Sequence, residues 1–154
     1  MTAPDSPDLT PETPEEDTGA RVLVWLTIVA AIAGAITGLV GGAFRWLLIR
    51  ADHLRADLID WTHHHGPAAW LIPVVISAAA ALIAALITRW EPRASGSGIQ
   101  HVEAVERGEA APPPPAVIPA RFVGGLLAIG VGGMVLGREG PTVHMGAAIG
   151  ALTG

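Results

Sequence analysis

The sequence predicts an all-α integral membrane protein in which bilayer-spanning helices are followed by broken helices that stop part-way through. Three observations predict this. Residues 22–44 and 67–88 are charge-free runs of 23 and 22 residues, each long enough as a helix to cross a ~30 Å hydrocarbon core at ~1.5 Å per residue. Beyond residue 93 no apolar run is that long, and glycine, proline and charge interrupt those that occur. Of the 154 residues 51% are hydrophobic and 15% charged, with mean hydropathy +0.49, which leaves too little polar surface to cover a water-soluble globule.

Residues 1–20 carry Asp5, Asp8, Glu12, Glu15, Glu16 and Asp17 among Pro, Thr and Ser. With almost nothing apolar to bury, they read as a disordered acidic tail, and residues 21–154 as the transmembrane domain. The tail lacks the basic start of a secretory signal, and the apolar run behind it is too long for one. In the first span Gly34, Gly38 and Gly42 recur every fourth residue and strip one helix face for close approach. Packing within the subunit is the expected use, with dimerisation the alternative. Residues 45–66 return to mixed charge and end in His63-His64-His65-Gly66-Pro67, which reads as an extramembrane turn. Three adjacent histidines diverge, and no carboxylate stands beside them at a ligand spacing, so no metal site is expected. The alanines of the second span, 67–88, suggest close helix contacts.

Ala94-Ser95-Gly96-Ser97-Gly98 is then a flexible turn, with Ile99, Val102 and Val105 at helical spacing behind it, predicting a short half-buried helix. Pro112 to Pro115 breaks the chain into an extended connector. Residues 122–137 are apolar for 16 positions with six glycines, a helix of about 24 Å that falls short of a full span. Arg21 before the first span and Arg89, Arg93, Arg107 and Arg121 after the second outnumber Arg45, Arg50 and Arg55 between them, which places the N-terminus in the cytoplasm.

Composition also excludes functions. There is no cysteine, so disulfides, iron–sulfur clusters and cysteine-bound zinc are ruled out. All nine basic residues are scattered arginines, unlike a nucleic-acid patch. No nucleophile and base pair marks an enzyme, and no cofactor is implied.

Arg138 and Glu139 interrupt two apolar stretches, where an ionisable residue is costly unless paired, wetted or used. Pro141 suits the first turn of a helix, so a helix start at Gly140-Pro141 is predicted, with Glu139 at its positive end. The first N–H groups of that helix lack internal partners, and the peptide dipoles there amount to about half a positive charge. Glycine on either side of Glu139 permits close approach to the backbone. The Ser97 turn repeats the design. Two broken helices whose glycine-rich starts face one point form the anion site expected of a transporter. Structural readings stand beside this one: Ser97 and Gln100 also spell a capping box, and Glu139 with Arg138 also complements a helix dipole. The residues alone leave both open.

Gly96-Ser97-Gly98-Ile99 and Gly132-Gly133-Met134-Val135-Leu136-Gly137-Arg138-Glu139-Gly140-Pro141-Thr142-Val143 resemble the CLC family of chloride channels and chloride/proton antiporters, from about residue 22 onward. The resemblance implies the N-terminal part of the CLC fold and, in the full-length protein, a homodimer in the cell membrane whose subunits each carry a pore. It implies a voltage-gated-type chloride channel or an antiporter, with Glu139 as the gating, proton-linked glutamate. The anion-binding set it implies is Ser97, Gly98, Ile99, Arg138 and Gly140. Serine at 97, where nitrate- and fluoride-preferring relatives carry other residues, points to chloride. The resemblance covers about a third of a usual family member, and the later tyrosine and helix end of the chloride site lie outside the chain. A truncated, nonconducting or accessory membrane protein is therefore the alternative expectation. The family has proline where Gln100 stands, and a Gln100 side chain reaching back to the Ser97 N–H would occupy one anion donor.

Overall fold

The computed structural model describes residues 14–153, and among these the chain is built of helices joined by turns, with no strand. Helix α1 runs unbroken from Pro14 to His63. The acidic segment expected to lack structure is thus helical from Pro14 onward, where proline in a first turn costs nothing; residues 1–13 lie outside the described residues. The extramembrane turn expected at 45–66 shrinks to residues 64–66. No glycine or proline occurs between Gly42 and Gly66, so nothing in the charged stretch stops a helix. Its 50 residues extend about 75 Å, more than twice a bilayer core. The first half spans. The second half turns Phe44, Leu48, Ala51, Arg55, Leu58 and Thr62, spaced three or four apart, inward onto the protein.

At the end of α1, His64 and His65 donate from Nδ1 to the carbonyls of Asp60 and Trp61, at 2.9 and 2.8 Å. The triple histidine closes a helix end, whose last carbonyls have no internal partner. A 3₁₀ turn, Pro67–Trp70, leads into α2, Leu71–Trp90, the second span. Its Ala80 and Ala84 are buried. The short α3, Ile99–Glu106, has no fully buried residue, and the Pro112–Pro115 connector follows without regular structure.

The helix expected at 122–137 is displaced toward the N-terminus. Helix α4, Val117–Gly125, accepts Pro119 in its first turn and continues as a π-helical turn, Leu126–Val131. It ends there because Gly133 is left-handed, at φ +67°. The Arg55 guanidinium of α1 rests on Gly133, where any Cβ would collide with it. Residues 133–137 carry no regular structure, with the Leu136 N–H donating back to the Met134 carbonyl, and α5, Glu139–Thr153, begins within one residue of the predicted start.

Phe44, Leu48 and Met145 form the core, flanked by Val40, Phe122, Leu126 and Ile129. Among the described residues, helices are brought together by a second glycine face, beside the Gly34/Gly38/Gly42 stripe. Gly34, Gly38 and Gly42 have no neighbour within 4 Å of a notional Cβ. Instead a Cβ on Gly41 of α1 would stand 3.3 Å from the Thr142 methyl, and one on Gly146 of α5 would stand 3.1 Å from the Thr37 methyl. Two small-residue pairs, Thr37/Gly41 and Thr142/Gly146, thus interlock α1 with α5.

Candidate anion site

Between α2 and α3 the chain makes two tight turns. Glu91 is buried, and its carboxylate accepts from Arg93 Nε at 2.7 Å and Nη2 at 3.2 Å. The Arg93 hydrogen bonds hold this carboxyl below its ordinary value. A depressed carboxyl stabilises the fold above its unfolded pKa and loses that contribution as pH falls through the folded one. Thermal melts of the protein are therefore expected to fall below about pH 4.5, with the fall reduced in Glu91→Gln.

The Ser95–Gly98 turn follows, with Gly96 and Gly98 at φ +67° and +80°. Gly98 occupies the N-cap position of α3, so Ser97 is not the cap that the Ser-x-x-Gln spacing suggested. Its hydroxyl oxygen accepts a long hydrogen bond from the Ile99 N–H, at 3.4 Å. Among the described residues the Gln100 side chain makes no hydrogen bond to the Ser97 N–H, so that donor is not taken by a capping box. Gln100 stands in the first turn of α3, where backbone N–H groups have no helical acceptor.

The start of α5 lies directly against this turn. A Cβ on buried Gly140 would collide with the Ser97 carbonyl and Cα, so only glycine lets the two backbones touch. The structure therefore brings Ser97, Gly98 and Ile99 together with Gly140, two helix starts whose first N–H groups have no acceptor within their own helix and whose dipole ends are positive. Ser97 and Glu139 are both exposed. Arg138 goes elsewhere: it lines a cleft with Leu48, Asp52, Arg55 and Met134, and it forms no ion pair with Glu139 among the described residues.

Three side chains beneath the turn were not singled out from sequence. Arg121, 5% exposed, donates from Nη1 to Gly96 O at 2.6 Å and from Nη2 to Ser95 O at 2.9 Å. Its Nε donates to Nδ1 of His144, which is fully buried, and His144 Nε2 meets His101 Nδ1 at 3.1 Å. Arg121 was counted among the loop arginines that orient the chain, but it is buried in α4 and carries no loop charge. Its signal was its position at the edge of an apolar run. That of His144 was an ionisable ring inside one, the pattern already noticed for Glu139.

The family described as voltage gated chloride channel matches residues 79–154. The H(+)/Cl(-) exchange transporter ClcA of Vibrio vulnificus strain YJ016 is 39% identical over 125 residues, 80% of this chain and 27% of that protein. Proteins of the same description from Citrobacter koseri and Vibrio campbellii are 35% identical over 128 residues and 40% over 125. These alignments cover 82% and 80% of this chain, and 27% and 26% of those proteins. The chain thus spans about a quarter of the length of these curated relatives. No solved structure matches. Spanning helices followed by partial ones, two glycine-rich helix starts pressed together, a family match that runs through both, and relatives similar over four-fifths of the chain place it in the CLC family of chloride channels and chloride/proton exchangers.

Proposed function

We propose that the full-length protein exchanges chloride for protons across a cell membrane, as a homodimer with its N-terminus in the cytoplasm. The backbones at Ser97–Ile99 and Gly140 hold the anion, and Glu139 is its gate. The observation that carries this reading is the contact of Gly140 with the Ser97 carbonyl. Two helix starts converge there, and donors that share a partial charge hold an anion firmly enough to select it and loosely enough to release it. The relatives named above, all H(+)/Cl(-) exchange transporters, support exchange over passive conduction. The ionised Glu139 carboxylate is drawn to the same helix end as chloride, so the two compete for one place. Protonation removes the carboxylate's charge and frees the place for the anion. Arg138 serves this site only through its backbone, since its side chain lines the neighbouring cleft.

Liposomes containing the full-length protein test the proposal: a chloride gradient is expected to drive protons against their own gradient. Chloride flux without proton movement would make the protein a channel, and absence of chloride flux would overturn the reading.

Gln100 supplies an N–H that the proline usual in the family cannot. Gln100→Pro is therefore expected to weaken chloride binding about ten- to hundredfold, the worth of one hydrogen bond to an ion, as read by titration calorimetry. Unchanged or tighter binding would show that this N–H faces no anion.

A further inference from the structure

The two histidines beneath the anion turn form a hydrogen-bonded chain whose direction can be derived. Arg121 Nε carries a hydrogen at every accessible pH and only donates. His144 Nδ1, 3.2 Å away, must accept, so the neutral His144 ring bears its hydrogen on Nε2. That hydrogen points along the 3.1 Å contact to His101 Nδ1, which accepts in turn. His101 then bears its hydrogen on Nε2 and donates to the Ala111 carbonyl at 3.1 Å. Every ring nitrogen is used, both rings are neutral, and the chain runs one way from Arg121 to Ala111.

The geometry of α5 gives the chain its purpose. Gly140 and His144 are four residues apart and share one helix face. That face presses Gly140 on the Ser97 carbonyl and His144 under Gly98, where a Cβ would stand 2.6 Å from the ring Nδ1. Arg121 holds the carbonyls of Ser95 and Gly96. Four consecutive residues of the turn are thus gripped, two by an arginine whose remaining arm is fixed by His144.

We propose that His144 and His101 are positioning residues of the anion site, a tautomer-locked pair that orients Arg121 and so fixes the backbone donors of the Gly96–Gly98 turn. The inference rests on reading that turn as an anion site. It requires at position 144 one acceptor toward Arg121 and one donor toward His101, a pairing that a glutamine amide also offers and a methionine of similar bulk does not.

The test is chloride titration of the full-length protein in detergent, with nitrogen NMR of its histidine rings. His144→Met strands the Arg121 Nε–H and is expected to lower chloride affinity about tenfold, whereas His144→Gln stays within about twofold of wild type. His101→Leu, at the more exposed end, removes the acceptor of His144 and is expected to act in the same direction, which keeps the test open if His144→Met does not fold. In wild type, His144 is expected to show a bare Nδ1 and a scalar coupling from its Nε2 to His101 Nδ1. Equal losses in His144→Gln and His144→Met, no loss in either, or a proton on His144 Nδ1 would overturn the proposal. Should wild type bind no chloride, the anion reading fails, while the ring spectra still decide whether the chain exists.

Discussion

Glu139→Gln in the full-length protein is expected to let liposomes move chloride while coupled proton movement falls to the level of protein-free liposomes. Glutamine keeps the size and hydrogen-bonding ability of a protonated glutamate but never becomes an anion. It therefore neither competes with chloride for the helix starts nor carries a proton between the two sides. In the structure Glu139 is exposed and no cation pairs with it among the described residues, so the substitution strands no buried partner and the fold should be unaffected. Simultaneous measurement of chloride efflux and internal pH gives the result. Proton movement that persists in Glu139→Gln would remove the gating role assigned to it.

The second large effect is expected from Gly140→Ala. The added methyl meets the carbonyl and Cα of Ser97, which are backbone atoms and cannot rotate aside as a side chain tip would. Either α5 slides or the Ser97 turn unwinds, at the ~1–3 kcal/mol typical of overpacking, and both outcomes separate the two helix starts. Chloride affinity is expected to fall at least about tenfold, since ~1.4 kcal/mol is a factor of ten, with a lower melting temperature. Gly137→Ala is the control. It lies in the same motif, yet its Cβ would have nothing within 4 Å, and it is expected to bind chloride and melt as wild type does. If both alanine variants behave alike, the Gly140 contact does not build the site.

Features that depend on local chemistry were legible in the sequence. The two spans, the short helix behind Gly98, the proline connector and the start of α5 all follow from apolar run length and from glycine and proline placement. Errors came where one local signal outranked another. Charges from Arg45 to Asp60 suggested an exit from the membrane, but a helix ends at a breaker, and the first lies at Gly66. The regular Gly34/Gly38/Gly42 stripe drew attention from Thr37 and Gly41, whose partners Thr142 and Gly146 lie a hundred residues on. For the same reason the site was half visible. Ser97 and Gly140 announce themselves by backbone chemistry, whereas Arg121, His144 and His101 matter only through contacts spanning 23 to 43 positions, which no periodicity reports.

The unbroken length of α1 bears on how the proposed gate can work. The segment carrying Glu139 is pinned to that one helix at two points, by Arg55 at Gly133 and by Gly41 at Thr142. Between those two points the chain turns at left-handed Gly133 and again where the Leu136 N–H donates to the Met134 carbonyl, then enters α5. A segment held at both ends against one continuous helix has little freedom to swing as a body. Opening would then be a torsional event at the Glu139 side chain, about χ bonds, over a backbone that stays where it is.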